Sequence, residues 1–525
     1  MVPARFLFLI PVFPLVAYCQ KPVIFPGGVV NAASYVQGGS GSSIVSIFGA
    51  NLSASTATAS TVPLPVQLAG TTVTVAGIPA PLFYVSPGQI NFQMPSRNSS
   101  ASGPPGIVVS TAAGVSDPFL SDLPGRFGIF TLDGSGCGRG AVLNVKGDGT
   151  VSVNSPSNSV SPGEYITVFG TGLGLVYNPP PDGMPAPLSP LSLYAGGFDL
   201  LFDFNGDFSD YYLPFFWAGR APGMVGVDQV DFYVGDTVRE GCAVPLRVNT
   251  DGSSQPVTVS VRKGGGACVD PPSAGYGQIT WEKTITTTPP GSTSETDSLT
   301  MSLQSSPGKQ APLVSVFEKG TGYPGREYLG PSCAIPGYRS LDAGGVSIQG
   351  PGFGPVQASM VPLQQGPPVV GLKMYQAALP GGSIQPGSFS VGTAGGADVG
   401  PFQSSVRVGS EIHVTTALAG RVFPMTKPIT IEWTGGNADA VVTLRLVGHS
   451  DTQIDSYSYH APVSDGTITI SPVMGFLPIT GGPVEIVLEV TPDLSQAPAF
   501  SAPGLSLGGQ HLWKYTYRFE GILIQ

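Results

Sequence analysis

One phrase occurs twice in this chain, and few folds accommodate that. Residues 44–52 read IVSIFGANL and residues 165–173 read YITVFGTGL. The offset of 121 residues holds through Phe48/Phe169, Gly49/Gly170 and Leu52/Leu173. Further on, Leu82-Phe83-Tyr84 answers to Phe215-Phe216-Trp217 at an offset of 133, and Pro87-Gly88 to Pro222-Gly223 at 135. Gln89-Ile90-Asn91-Phe92 then answers to Gln229-Val230-Asp231-Phe232 at 140. The order is kept and the offset only grows. That is the pattern of one module duplicated, with loops inserted in the second copy.

Each piece of the phrase has a physical reading. IVSIFG and YITVFG are β-rich runs that end at a glycine. Glycine there is expected to supply backbone angles closed to other residues, so that the leucine three positions on tucks back under the strand. QINFQM places Ile90, Phe92 and Met94 on one face and Gln89, Asn91 and Gln93 on the other. QVDFYV does the same with Val230, Phe232 and Val234, so both read as half-buried strands. The Pro-Gly ahead of each suits a turn. Each copy therefore builds the same corner: aromatic strand, turn, amphipathic strand.

Composition agrees with a chain of short strands. Of 525 residues, 73 are glycine and 53 proline, yet 41% are hydrophobic, so there is ample apolar surface to bury between many turns. Only 11% are charged and no long stretch has a 3.6-residue apolar period, which argues against helical layers. The net charge is −10 with no cluster of Lys and Arg, which disfavours nucleic acid as a partner.

The motifs carry a resemblance. GVVNAASY (28–35), SIVSIFGANL (43–52), PLPVQLAGTTVTVAGIPAPLFYVSPGQINFQMP (63–95), NSPSNSVSPGEYITVFGTGLG (154–174) and APGMVGVDQVDFYV (221–234) together resemble the Solibacter-type C-terminal domain. That is an uncharacterised module of exported bacterial proteins, similar to the IPT/TIG class of immunoglobulin-like domains. The resemblance covers roughly residues 24–263. It implies tandem immunoglobulin-like β-sandwiches and no catalytic residues. The family's module is usually C-terminal, whereas another half-protein follows it here.

The N-terminus reads as a signal peptide over residues 1–19: Arg5, then the apolar run FLFLIPVFPLVAY, with Ala17 and Cys19 as small residues ahead of the cut. Lipid attachment at Cys19 is disfavoured by the bulky Tyr18. No later segment is long and apolar enough for a membrane span, so the expected location is secreted or cell-surface. Four cysteines then remain, Cys137, Cys242, Cys268 and Cys333, which allow three pairings. Cys242 opens a strand, and the Gly264-Gly265-Gly266 turn can fold Cys268 back to it. This pair is the expected disulfide, with Cys137 the competing partner.

Residues 264–275 read as a linker. Beyond it, GQITWEKTITTT and SLTMSLQ alternate as strands around a polar turn, and PITIEWTGG, AVVTLRLVG, GTITISP, VEIVLEV and KYTYRFEGILI give a sandwich signature. The expected domains are therefore 24–120 and 125–263 (the two modules), 276–409 (β-rich) and 410–525 (a C-terminal sandwich).

Candidate chemistry is sparse. DFNGDFSD (203–210) invites a calcium reading, but its glycine is fourth rather than sixth, and Asn205-Gly206 is a strong hairpin turn. His449 and His460 flank Asp451 and Asp455 in what reads as a polar loop, without metal-ligand spacing. His413 and His511 are the other two histidines. Gly504-Leu505-Ser506-Leu507-Gly508, with His511 behind it, matches a nucleophile elbow in letters but lacks the strand before and the helix after. Ser260/Lys263 and Ser306/Lys309 match SxxK without a helix to align them. No cofactor or metal is expected.

YYLPFFW (211–217) is the densest aromatic cluster. Alternation from the Asn205-Gly206 tip puts Tyr211, Leu213, Phe215 and Trp217 on one face and Tyr212 and Phe216 on the other. Tyr211 and Tyr212 are the candidate contact aromatics. The reading as a whole is an exported, non-catalytic adhesion or scaffold protein of unknown ligand, its partner a polysaccharide or a cell-surface protein. A carbohydrate-binding protein, and a secreted hydrolase with its site in residues 276–525, are the alternatives.

Overall fold

The computed structural model describes residues 20–96, 106–120, 127–196, 201–204, 215–236, 238–249, 254–307, 323–328, 339–362, 372–424, 427–449, 453–470, 484–493 and 499–524. Among them the chain is all-β apart from one 3-10 turn, Val463–Asp465, and no helix is long and apolar enough to cross a membrane.

The first module is an immunoglobulin-like sandwich. One sheet of five strands carries Val23–Asn31, Ile44–Ala50, Gln89–Gln93, Leu82–Val85 and Ala57–Thr58 in that spatial order. The facing sheet is built around Thr71–Val75 and Ile107–Thr111. Period-2 alternation sends Val45, Ile47, Ile90 and Phe92 inward from one sheet and Val73, Val75, Ile107 and Val109 from the other, all fully buried. The second module repeats the plan. Its larger sheet carries Val151–Val153, Val142–Val145, Tyr165–Thr171, Asp228–Tyr233 and Phe215–Arg220, and the smaller one Leu201–Phe204, Gly241–Asn249 and Val257–Val261. Ile166, Val168, Val230 and Phe232 meet Val244, Leu246, Val257 and Val259 across its core.

The repeat holds to the level of register. In the first copy Val45, Ser46, Ile47 and Phe48 stand opposite Phe92, Asn91, Ile90 and Gln89. In the second, Ile166, Thr167, Val168 and Phe169 stand opposite Phe232, Asp231, Val230 and Gln229. The aromatic strand carries a bulge at the same place in both, between Leu82 and Tyr84 and between Phe215 and Trp217. Even the polar outer row is kept. Ser46 donates to Asn91 at 2.9 Å and Gln89 donates to Asn91 at 2.8 Å. Thr167 donates to Asp231 at 2.7 Å and Gln229 donates to Asp231 at 3.0 Å.

Two expectations need correction here. Gly49 and Gly170 are not at left-handed angles. They are small because the chain passes too close: a methyl on Gly49 would run into the Val23 carbonyl oxygen, and one on Gly170 into the Gly128 carbonyl and the Phe127 ring. The leucines do tuck in, Leu52 fully buried and Leu173 nearly so. The bulge also breaks the alternation read from sequence. Trp217 pairs with Asp231 and so belongs to the outer row, not to the core row in which strict alternation would put it, while the side chain of Phe215 lies outside the described residues.

Residues beyond 272 form one further body. Ser273–Thr288 and Ser292–Pro307 make a long hairpin, and the final strand Gly509–Ile524 runs parallel to Ser273–Thr288. A sheet of 15 strands among the described residues runs through both of the domains expected here. Its core joins Trp281, Met301 and Phe389 to Ile431, Leu444 and Tyr515. The division expected near residue 410 therefore does not separate two cores, because the first and last strands of the region pair with each other. The segment around His460 is also not a loop. Ala440–His449 and Gln453–Pro462 are the two arms of a hairpin.

Candidate functional site

The most developed feature is the joint between the two modules. Its parts come from the turns rather than the strands. In the second copy the hairpin runs on to an Arg220–Asp228 pair and then loops through residues 221–227. Arg220 and Asp228 form an ion pair, with 3% and 0% of their side chains exposed. Asp228 also accepts from the Leu173 N–H at 2.7 Å. Burial pushes the Asp228 carboxyl up, and the Arg220 guanidinium and the Leu173 amide pull it back. The free arm of Arg220 crosses to the first module, donating to the Gly41 carbonyl at 3.3 Å as well as to Gly174 at 2.8 Å.

Thr171 is the second element of the joint and is fully buried. Its hydroxyl donates to the Gly226 carbonyl at 2.7 Å and accepts the Ile44 N–H at 2.8 Å. Its carbonyl accepts from the Asn31 side chain at 3.0 Å. On the other side of the joint the Gln93 carboxamide oxygen accepts the Gly183 N–H at 2.6 Å, and the Leu64 N–H donates to the Gly183 carbonyl at 2.9 Å. Buried polar groups cost free energy unless each finds a partner, so a joint built this way is held in one geometry.

The outer face of the second module carries exposed rings. Tyr165 packs edge-on against Phe216 at 5.6 Å and Tyr233 at 5.4 Å between centroids, and Phe216 is 75% exposed. Asp231 lies in the next row. Burial holds its carboxyl above the usual carboxylate range, against the pull of Thr167 and Gln229. Tyr211 and Tyr212 lie outside the described residues, as do the Asn205-Gly206 turn and most of DFNGDFSD.

Cys242 and Cys268 are disulfide-bonded, with a Cα–Cα distance of 5.1 Å. The bond ties the 262–268 turn to the strand Gly241–Asn249, and the Cys268 N–H donates to the Pro156 carbonyl at 2.8 Å. Cys137 is disulfide-bonded as well.

The candidate catalytic residues do not converge. His511 is fully buried in the 273–524 core, where its Nε2 accepts from the Trp281 indole at 2.8 Å. That fixes the proton on Nδ1, which donates to Ser404 at 2.7 Å. Burial drives its pKa down to about 4, so it is a neutral core histidine. Ser506 does line a shallow groove of about 420 Å³ beside Arg339 and Asp398, but its hydroxyl accepts from the Gly275 N–H at 3.2 Å. His460 is buried against Thr443 at 3.0 Å, His413 is exposed, and Asp451 lies outside the described residues. Ser260 donates to the Cys242 carbonyl at 2.9 Å, while Lys263 sits in an exposed turn and Lys309 lies outside the described residues.

Sequence reasoning missed the Arg220–Asp228 pair. The signal was there: in a chain this poor in charge, an arginine and an aspartate flank an apolar turn in only one of the two copies.

No protein-family profile matches the sequence, and no curated protein is similar to it at a significant level. Among solved structures the chain is similar to the I9–I11 tandem of titin, at 8% identity and a TM-score of 0.10, over 70% of this chain and 95% of that one. It is similar to the eight N-terminal Ig domains of Down Syndrome Cell Adhesion Molecule, at 10% identity and 0.11, over 95% and 48%. It is also similar to E. coli alpha-2-macroglobulin in its native conformation, at 13% identity and 0.13, over 94% and 28%. Superpositions this loose carry no argument, and the fold stands on the sheets described above.

Proposed function

We propose that this is an exported, non-catalytic protein that works as a rigid modular scaffold or adhesin at the cell surface or outside the cell. The observation that carries the reading is the joint: two copies of one sandwich locked end to end through buried polar contacts. A catalytic module does not need its neighbour fixed in this way, whereas a spacer that presents a surface at a set distance does. The disulfide between Cys242 and Cys268 supports an oxidising compartment. The resemblance to the Solibacter-type module belongs to the same reading, and the register-exact repeat supports it.

The test is attachment. Cells that display the chain should adhere to surfaces or to one another, and cells displaying an Arg220→Ala variant should adhere less. Equal attachment of cells with and without the chain would overturn the adhesion reading. Export is checked separately by N-terminal sequencing of the secreted protein, which should begin near Gln20; a mature chain that retains Met1 would contradict it.

One observation favours carbohydrate as the ligand. The Tyr165, Phe216 and Tyr233 rings stand beside the Gln229–Asp231–Thr167 row, and rings next to hydrogen-bonding groups are the chemistry that grips a sugar's C–H face and hydroxyls. A glycan array should then give hits that a Phe216→Ala variant loses.

A further inference from the structure

Lys283 and Asp297 break the rule that the core face of a strand is apolar. They stand directly opposite each other on the hairpin Ser273–Thr288/Ser292–Pro307. Their row continues to Tyr515 on one side and Leu379 on the other. Of the rows flanking them along the same face, one carries Trp281 with Leu299, both fully buried, and the other Ile285 with Glu295. Lys283 is 6% exposed and Asp297 2%. Cross-strand partners of this kind bring their Cβ atoms to about 5 Å, well within the reach of a lysine.

The three carboxyls around the ammonium are not equivalent. Lys283 Nζ lies 2.9 Å from Glu411 and 3.3 Å from Glu295, whose side chains are 32% and 44% exposed. Asp297 is dry. Its Oδ2 accepts the Ile384 N–H at 2.7 Å, and its Oδ1 is buried with no hydrogen-bond partner. The ammonium turns to Glu411 and Glu295 rather than to its cross-strand partner, and a buried oxygen left unsatisfied in this way calls for an explanation. Burial pushes the Asp297 carboxyl up, toward the neutral acid, and Glu411 is the wetter of the two carboxyls. Burial lowers the Lys283 pKa, but Glu411 and Glu295 more than offset it, so the resting side chain is an ammonium that must lose a proton before it can react.

We propose that Lys283 and Asp297 join through an intramolecular amide, with Glu411 as the base. Glu411 takes a proton from the Lys283 ammonium. The freed lone pair of Nζ attacks Cγ of the neutral Asp297 acid. The Ile384 N–H, already on Oδ2, stabilises the negative charge that develops on that oxygen. The Nζ–Cγ bond forms and the Cγ–Oδ1 bond breaks. The departing hydroxyl leaves as water with one proton from the nitrogen, and Glu411 releases the proton it took to solvent. Cross-strand pairing replaces any activating reagent once Nζ turns from Glu411 to Cγ, since well-oriented intramolecular partners reach effective concentrations of about 10⁵ M or more. A dry core also favours expulsion of water over its return. The product removes the buried ammonium and the orphan oxygen together, and it ties the two arms of the hairpin covalently.

Mass spectrometry of the reduced full-length chain tests this. The expected mass is lower than the sequence mass by one water. Trypsin should fail to cut after Lys283, and a branched peptide should join Lys283 to Asp297. Glu411→Gln should fold and keep the full mass. Asp297→Asn should still form the bond, now expelling ammonia, and so give the same final mass as the parent. A full-mass parent cleaved by trypsin after Lys283 would overturn the proposal, as would a branch ending on Glu295 or Glu411. A linked Glu411→Gln protein would overturn the role given to Glu411.

Discussion

In the first copy the hairpin closes at once, the Ser86 N–H donating to the Gln89 carbonyl at 2.7 Å around Pro87-Gly88. In the second copy the same two strands run one residue pair further, to Arg220 and Asp228, before the longer turn that contains Pro222-Gly223. By register, Pro87 and Gly88 occupy the places of Arg220 and Asp228. The first copy likewise has Ala50 where the second has Thr171. Arg220, its partner Asp228 and Thr171, which grip the first module from the second, thus lie where the copies differ. Where they agree, along the strands, the residues build the shared core. Duplication supplied the fold twice, and divergence at one end of one copy supplied the joint.

The shared core should break alike in both copies. Phe92 and Phe232 are fully buried equivalents, and replacing either with Ala should cost about 3–5 kcal/mol in chemical denaturation. Asp228→Ala should cost as much, about 3–5 kcal/mol, because it strands the Arg220 guanidinium in the interior. Removing both charges together, Arg220→Met with Asp228→Asn, should recover most of that loss while still opening the joint, because the Arg220 and Leu173 N–H groups keep their acceptors. If the single and double variants lose the same stability, the pair does not act as a unit.

Gly49→Ala and Gly170→Ala should each cost about 1–3 kcal/mol or more, since in both copies the added methyl meets a backbone carbonyl that cannot retreat. An unchanged midpoint for either would mean that the strands do not approach as described.

The outer row gives a subtler contrast, Asn91 against Asp231. Burial raises the Asp231 pKa in the folded state. Its contribution is therefore present below the unfolded value and is lost as pH rises through the folded one. At neutral pH the ionised, part-buried carboxylate costs stability that Asn91 does not. Asp231→Asn should stabilise the second module at pH 7 by on the order of 1 kcal/mol, and the gain should fade as pH drops toward about 3. A gain that does not change with pH would show that ionisation is not its cause. The smallest effect belongs to Phe216→Ser, expected to change stability by no more than about 0.5 kcal/mol because the ring is largely exposed.

The sequence made the duplicated strands legible because period 2 and a long-range echo are local signals. Ile90, Phe92, Val230 and Phe232 could be assigned to the core from alternation alone. The bulge at Phe216 could not, since it adds a residue without any marker in the letters, and it moved Trp217 to the other face. The joint was hidden for a different reason: Thr171, Gly226 and Asn31 are far apart in sequence and acquire meaning only when the modules meet. In the second half, strands were visible but their partners were not. Nothing in residues 277–287 announces that they pair in parallel with 509–519. Lys283 and Asp297 were readable in principle, as charges on the apolar phase of WEKTI and TDSLTM.

The two copies form one rigid unit through contacts centred on Arg220 and Thr171, which the first copy lacks. Spin labels at the exposed positions Thr58 and Val153, in the full chain, measure it through the distribution of distances across the joint. One narrow distribution, broadened by Arg220→Ala, is the expected result. A broad distribution in the parent chain, unchanged by that substitution, would contradict the account.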